Sequence, residues 1–91
     1  MGPYIEGRGV YEFTKQNLQY RGDFKASKQH GRGTLLRIPT GHMQKEDVIY
    51  EGEWMNGYKE GFGKYMYFND TYYEGNWVKN NKEGHGTFRS P

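Results

Sequence analysis

The sequence repeats a pattern of five positions three times without a gap, and this repeat constrains the fold more than any other feature. Counting from a tyrosine at position 0, glycine follows at position 2, an aromatic residue at position 4, and glycine at positions 11 and 13. The three units are Tyr20, Gly22, Phe24, Gly31 and Gly33; Tyr50, Gly52, Trp54, Gly61 and Gly63; and Tyr73, Gly75, Trp77, Gly84 and Gly86. Such a period predicts a repeat architecture in which each unit packs against its neighbours.

Two further features extend the repeat beyond these units. Gly7 and Gly9 occupy positions 11 and 13 of an earlier unit, so the chain is expected to begin inside a repeat. The first complete unit exceeds the 23 residues that separate Tyr50 from Tyr73, and its extra length predicts a surface loop over 37–49 at one edge. The expected segments are a partial repeat over 1–19 and repeats over 20–49, 50–72 and 73–91, within one domain over 1–91.

The composition decides which kind of core this repeat can build. Aromatic residues make up 18% of the chain, and each can bury on the order of 150–250 Å². Fourteen glycines argue against a helical bundle, because glycine destabilises helices. The absence of cysteine excludes disulfides and thiolate zinc sites. A net charge of +2 without a basic cluster gives no indication of nucleic-acid binding.

Each unit has the pattern of a β-hairpin. In Tyr50-Glu51-Gly52-Glu53-Trp54, aromatic residues alternate with carboxylates, as in a half-buried strand. Turn-forming residues stand at position 7 as Ser27, Gly57 and Asn80, and Asn69-Asp70-Thr71 predicts a turn between units. An apolar residue recurs at position 15, as Tyr11, Leu35, Tyr65 and Phe88. We therefore predict an all-β fold, an elongated single-layer antiparallel β-meander of stacked hairpins.

The repeated glycines are expected to be structural. Close-set glycines can suggest a phosphate-binding loop, but no third glycine follows at the required distance and no helix begins there. The pairs at positions 11 and 13 are instead interpreted as sites of positive φ or of close approach. The glycine at position 2 leaves room for a ring to lie over bare backbone. The predicted structural glycines are Gly22, Gly31, Gly33, Gly52, Gly61, Gly63, Gly75, Gly84 and Gly86.

No arrangement of residues indicates catalysis. A hydrolase needs a nucleophile, a base and an orienting acid together, whereas Ser27, Ser90 and the three histidines are scattered along the chain. His30, His42 and His85 also lack the spacing of metal ligands. We therefore expect a non-enzymatic protein with no catalytic residues, no metal and no cofactor.

The aromatic residues at positions 0 and 4 allow two interpretations. They share one face of a strand and can pack as a core between repeats. Alternatively, the row of tyrosines suits a groove that receives a partner chain, because a phenol has an apolar body and a polar tip. The predicted partner-binding residues are Tyr20, Tyr50, Tyr73, Trp54, Trp77 and Phe24. The charged residues between them, including Asp23, Glu51 and Glu53, face the other way and are interpreted as a solvated face.

These units resemble MORN repeats. The resemblance is carried by Tyr50-Glu51-Gly52-Glu53-Trp54 with Gly61 and Gly63, and by Tyr73-Glu74-Gly75-Asn76-Trp77 with Gly84 and Gly86. The first unit departs from the family in having Phe24 where tryptophan is usual. The resemblance implies a stack of β-hairpins that serves as an interaction or scaffolding module. Such repeats occur in proteins of cilia, cytoskeletal assemblies and membrane junctions, and as appendages of enzymes.

The leading hypothesis is a protein-interaction module that scaffolds a larger cytoskeletal or ciliary assembly. No apolar run approaches the ~18 residues that span a bilayer, which favours an intracellular location. The resemblance implies a cytoplasmic, cytoskeleton-associated location, with the cilium or flagellum as a further expectation. The partners are expected to be other proteins of such an assembly. The open edge of the first strand, over 9–13, is a template for pairing, which adds an edge-to-edge homo-oligomer to the expected partners.

A second hypothesis is peripheral membrane association through anionic phospholipid headgroups. It requires that basic side chains gather on one edge of the sheet. The candidates are Lys25, Lys28, Arg32, Arg37, Lys79, Lys82 and Arg89. Carbohydrate recognition through stacked rings is a third class, which a secretion signal would favour.

Overall fold

A computed structural model describes residues 6–39, 47–67 and 70–91, and seven strands run through these residues. The strands are β1 (Gly7–Phe13), β2 (Leu18–Lys25), β3 (Lys28–Arg37), β4 (Asp47–Met55), β5 (Tyr58–Met66), β6 (Tyr72–Val78) and β7 (Asn81–Arg89). They form one sheet in the order β1-β2-β3-β4-β5-β6-β7, and every neighbouring pair is antiparallel. The molecule measures 47 × 37 × 18 Å. The predicted all-β, single-layer meander is confirmed.

The hairpin turns within the units lie where the sequence predicts them. Each has two residues between its strands, and both have positive φ, as in the tight turns that match the twist of paired strands. The turn residues are Ala26 and Ser27, Asn56 and Gly57, and Lys79 and Asn80. Of the predicted turn between the last two units, Asn69 lies outside the described residues. Asp70 has φ 59°, and the Tyr67 N–H donates to the Thr71 carbonyl at 2.7 Å.

The connection between the first two complete repeats is shorter than the predicted loop over 37–49. β3 continues through Arg37, and β4 begins at Asp47. The two residues pair in the sheet, and Arg37 Nη1 lies 2.7 Å from Asp47 Oδ2. A register shift next to Leu36 lets the strands extend this far, and sequence alternation does not reveal such a shift. Residues 40–46, which include His42, lie outside the described residues.

The strand register aligns the repeats into rows that cross the whole sheet. One row consists only of glycines, one from each strand: Gly9, Gly22, Gly33, Gly52, Gly63, Gly75 and Gly86. The adjacent row contains Tyr11, Tyr20, Leu35, Tyr50, Tyr65, Tyr73 and Phe88. Positions 0 and 15 of the repeat thus meet on the same face, beside a strip that has no side chains.

The core lies on one face of the sheet, here called the ring face. Its buried cluster is entirely aromatic, and each member exposes 8% or less of its surface. The cluster consists of Tyr20, Phe24, Tyr50, Trp54, Tyr73 and Trp77. Phe13, Leu35, Tyr65 and Tyr67 are partly buried against it. Burial of aromatic surface replaces the aliphatic core that the composition lacks.

Candidate functional site

Each tyrosine at position 0 closes over a glycine of its own unit. The Tyr50 side chain covers Gly63, where an added Cβ would overlap its Oη and Cζ, and Tyr20 covers Gly33 in the same way. The Tyr50 hydroxyl donates to the Glu53 carbonyl at 2.9 Å, and the equivalent bond from Tyr20 is 2.7 Å long. The glycine at position 13 is therefore required by close approach. The glycine at position 11 has positive φ, for example +95° at Gly61, where an added Cβ would also overlap the Glu53 carboxylate.

The six buried rings form a continuous chain of edge-to-face contacts. Their centroids lie between 5.0 and 5.6 Å apart, within the range that aromatic pairs prefer. The order along the chain is Phe24, Tyr20, Trp54, Tyr50, Trp77 and Tyr73. Each tryptophan stands between the tyrosine of its own unit and that of the preceding unit, so the rings join the repeats.

The tryptophans also fix neighbouring units by hydrogen bonds. Trp54 Nε1 donates to the Gly33 carbonyl, and Trp77 Nε1 donates to the Gly63 carbonyl, each at 3.1 Å. Both bonds are buried, which makes them costly to lose. The glycine at position 13 thus receives a tyrosine ring from its own unit and an indole N–H from the next.

The structure places all six predicted partner-binding side chains in the core. Tyr20 and Tyr50 are completely buried, and the remaining four expose between 4% and 8%. A role for these rings in binding a partner stays a prediction. Their burial limits what a partner could touch, because most of each ring is already covered by the chain itself.

Two lysines lie over the rings, a contact that the sequence analysis predicted for neither of them. Lys59 Nζ is 5.6–5.9 Å from the ring centroids of Tyr50, Trp54, Tyr65 and Trp77. Burial lowers the pKa of Lys59. Lys82 occupies the same position, nine residues after its tyrosine, and contacts Tyr67, Tyr73 and Trp77 at 5.4–5.6 Å. The recurrence of lysine nine residues after a position-0 tyrosine is the sequence signal that could have revealed these cation–π contacts.

Two carboxylates interpreted as part of a solvated face have a structural role. Asp23 Oδ2 accepts the Arg32 N–H at 3.0 Å, and Glu53 Oε1 accepts the Phe62 N–H at 2.7 Å. Each bond fastens the return strand directly after its positive-φ glycine, where the ladder register shifts. Asp23 also pairs with Arg8 Nη1 at 2.9 Å. These side chains therefore hold irregular backbone in place in addition to facing solvent.

The basic candidates are divided between the two ends of the sheet and its middle. Lys25 and Lys28 flank the β2–β3 turn, Lys79 lies in the β6–β7 turn, and Lys82 is the second residue of β7, all at the same end of the sheet. Arg37 and Arg89 lie at the opposite ends of their strands. Lys82 is held over aromatic rings, and Arg32 lies in the middle of β3. Four of the seven candidates therefore share one end of the sheet, and membrane association stays a prediction.

Accessible apolar side chains cluster on the face opposite to the rings, near the β4–β5 turn. We call Met55, Tyr58, Phe62 and Val78 the apolar patch; each exposes between 42% and 50% of its surface. Met55 pairs with Tyr58 across the hairpin, and Phe62 pairs with Asn76, which precedes Val78 by two residues on the same face. A cavity of about 360 Å³ adjoins Met55, and its lining includes His30, Glu53, Trp54 and Glu60.

The chemistry available around these features is limited. Within 6–39, 47–67 and 70–91, there is no group of three acidic or histidine side chains placed to hold a metal ion. The same part of the chain contains no helix that is long and apolar enough to cross a membrane. His42, one of the three histidines considered for a metal, lies outside it.

The buried tyrosines predict a loss of stability at alkaline pH. Burial, aided by the neighbouring Asp23 and Glu53, raises the pKa of Tyr20 and of Tyr50 from 10.0 to about 12. Above pH 10 the unfolded chain loses phenol protons that the folded chain keeps, so the free energy of unfolding falls as pH rises towards 12 and is fully retained below 10. We expect far-UV circular dichroism to show loss of the sheet in this range, together with the phenolate absorbance of the two buried tyrosines. A sheet that stays intact while all nine tyrosines form phenolates would contradict the assignment.

Comparison with known protein families agrees with the geometry. The family model of the MORN repeat matches residues 20–37, 50–72 and 73–91, which together hold 60 of the 91 residues. Each match begins at one of the position-0 tyrosines, and the first ends with the last residue of β3. The connection before Tyr50 is therefore excluded from the matched repeat, as it is from the regular hairpins. The chain belongs to the MORN repeat family.

Proposed function

We propose that the chain is a non-enzymatic protein-interaction module that scaffolds a larger cytoskeletal or ciliary assembly in the cytoplasm. MORN repeats are known in modules that bind proteins and in modules that bind membrane lipids. The choice of cytoskeletal or ciliary partners follows from the kinds of protein in which such repeats occur. The observation that carries the proposal is the apolar patch, because a single-layer sheet leaves this face uncovered.

The patch has properties of a protein-binding surface. Single exposed apolar side chains are common on soluble proteins, whereas adjacent ones that form a patch favour binding to another protein. Tyr58 and Phe62 supply aromatic rings of the kind that dominate interface energetics. The cavity beside Met55 could receive one anchoring side chain from a partner. We infer an apolar segment of another protein as the occupant.

The test compares partner recovery by matched variants. The purified chain would be immobilised and exposed to extract from ciliated cells, and the proteins retained would be identified. We expect Tyr58→Ser with Phe62→Ser to reduce recovery of the specific partner by at least about tenfold. Thr34→Ala with Glu51→Ala, on the polar middle of the same face, should leave it unchanged. Equal recovery by both double variants, with intact thermal unfolding, would overturn the proposal.

Co-sedimentation with vesicles distinguishes this proposal from the hypothesis of lipid binding. Exposed charges are screened beyond about 8 Å at physiological ionic strength, so we expect no co-sedimentation with phosphoinositide vesicles under that condition. Lys25→Glu with Lys28→Glu is the informative variant, since both residues are exposed. Lys82 is unsuitable because it also covers rings of the core. Salt-resistant sedimentation that this variant abolishes would favour the membrane function over the protein scaffold.

A further inference from the structure

The second strand of each hairpin, here called the return strand, carries a pocket for an aromatic ring. The pocket lies on the strand's outer edge, which faces the first strand of the next hairpin. In β3, Gly31 pairs with Trp54, whose indole donates to the Gly33 carbonyl. The Tyr20 ring forms one wall, with its centroid 5.3 Å from that of Trp54. We call this combination of two glycines and, where present, a tyrosine the aromatic socket.

Three of the four sockets are filled by the next strand of the chain. Gly7 in β1 pairs with Phe24, Gly31 in β3 pairs with Trp54, and Gly61 in β5 pairs with Trp77. Phenylalanine and tryptophan both serve as occupants. The side chain that fills a socket always comes from the adjacent antiparallel strand.

The fourth socket, on β7, is built but open. It consists of Gly84, Gly86 and the Tyr73 ring, which covers Gly86 as the Tyr50 ring covers Gly63. Gly84 has φ +66°, in the same left-handed region as its counterparts at position 11. Among the strands of the described segments, none pairs with the outer edge of β7, and all its residues are exposed.

β7 also carries the residue that such a socket accepts. β2, β4 and β6 are the first strands of the hairpins, and each carries the aromatic residue that fills a socket two residues after its glycine of the glycine row. β7 has an aromatic residue at the same spacing. The instances are Gly22 and Phe24, Gly52 and Trp54, Gly75 and Trp77, and, in β7, Gly86 and Phe88. Phe88 exposes 62% of its surface, the largest fraction among the exposed large apolar side chains of the described segments. β7 can therefore act both as a socket and as the strand that fills one.

We propose that two copies of this chain pair through β7, in antiparallel orientation, with the Phe88 ring of each copy in the socket of the other. The two-fold axis passes between the two Gly86 residues, which continues the glycine row from one sheet into the next. In this register Phe88 lies opposite Gly84 of the second copy, as Trp54 lies opposite Gly31 within the chain. Both ring faces then point to the same side of a continuous sheet.

The charges and the sterics of β7 suit this register. Three residues from the two-fold axis, this register places Arg89 of each copy opposite Glu83 of the other. The dimer therefore contains two pairs of opposite charge. Gly84 stands where β2, β4 and β6 have their tyrosine, so the second copy places no competing ring opposite Phe88. Within its own chain the Phe88 ring lies 5.6 Å from the Tyr67 ring, at the centroids. The second copy therefore satisfies the open edge without rearranging the sheet.

The assembly state of the 91-residue chain tests the proposal. Sedimentation equilibrium from low micromolar to near-millimolar concentration should show a monomer–dimer equilibrium. Phe88→Asp should weaken dimerisation by at least about tenfold. Tyr11→Asp is the matched control, since Tyr11 is the exposed aromatic of the same residue row at the other edge strand. A monomer at every concentration would overturn the proposal. So would dimers lost only with Tyr11→Asp, or open-ended oligomers, which require β1 to pair with β7.

A charge exchange tests the register independently of folding. Arg89→Glu alone places like charges opposite each other and should weaken the dimer, whereas Arg89→Glu combined with Glu83→Arg should restore it. Both residues are exposed, so the thermal unfolding of the monomer should change little. Failure of the double variant to recover dimerisation would exclude the Gly86-centred register.

Discussion

Gly63→Ala is expected to destabilise the chain by more than about 3 kcal/mol, a large loss for a single methyl group. The new Cβ would overlap the hydroxyl end of the Tyr50 side chain, at Oη and Cζ. That side chain is completely buried, and its hydroxyl is bonded to the Glu53 carbonyl, so moving it away would break a buried hydrogen bond. Displacing it would also disturb Trp54 and Trp77, which contact it edge-on.

The matched control is Gly84→Ala, at the other type of repeated glycine. Within a single copy of the chain nothing lies within 4 Å of a Cβ added there, so at a concentration where the chain is monomeric only the positive φ of +66° opposes the change. A left-handed conformation costs a residue other than glycine about 1–2 kcal/mol. Urea unfolding of both variants measures the difference between the two free energies. Similar losses would show that Gly84 and Gly63 do not differ as the structure indicates.

Trp54→Ala is expected to cost about 3–5 kcal/mol, because it removes a buried ring and leaves a cavity between two repeats. The indole contacts Tyr20 and Tyr50, and its N–H satisfies the buried Gly33 carbonyl. Trp54→Phe should cost less, since it keeps most of the contact and loses the hydrogen bond. Thermal and urea unfolding provide the measurement.

Phe62→Ala is the control for the loss of an aromatic ring as such. Phe62 is half exposed on the opposite face, so its truncation should cost less than about 1 kcal/mol. If Trp54→Ala unfolds at the same temperature and urea concentration as the parent chain, the ring does not contribute to the core. That result would favour the groove interpretation of the aromatic row.

Much of this fold could be predicted because its period and alternation are local properties of the sequence. Position 7 predicts the turns at Ser27, Gly57 and Asn80, since the residue types there adopt tight turns readily. The fixed offsets then leave one way to align the units, with the paired glycines of one strand beside the single glycine of the next. The row of glycines follows directly from that alignment.

The remaining features depend on three-dimensional neighbours that a sequence pattern does not identify. Alternation places the tyrosines on one face, but it cannot show whether that face is a groove or is closed by rings lying flat over glycine. The role of Lys59 is hidden for the same reason, because its four aromatic neighbours come from three strands. The extension of β3 to Arg37 depends on a register shift, which changes the face that a residue occupies.

The apolar patch was also inaccessible to sequence reasoning. Met55 and Val78 share position 5 of the repeat, but Tyr58 and Phe62 stand at positions 8 and 12. All four become neighbours only when β4, β5 and β6 lie side by side. Repeat positions describe what the units share. A surface that differs from unit to unit falls outside such a pattern, although this is the kind of surface that gives a repeat protein its specificity.

The bond from each indole to the glycine of the preceding unit makes the junctions between repeats interchangeable. Trp54 and Trp77 make the same bond of 3.1 Å to equivalent carbonyls, although the connections that precede their strands differ in length. The contacts of such a junction involve only two neighbouring units, so they do not depend on how many units precede them. Gene duplication or deletion of a whole unit would therefore recreate an existing interface, and such a protein can change its length in evolution without redesigning its core.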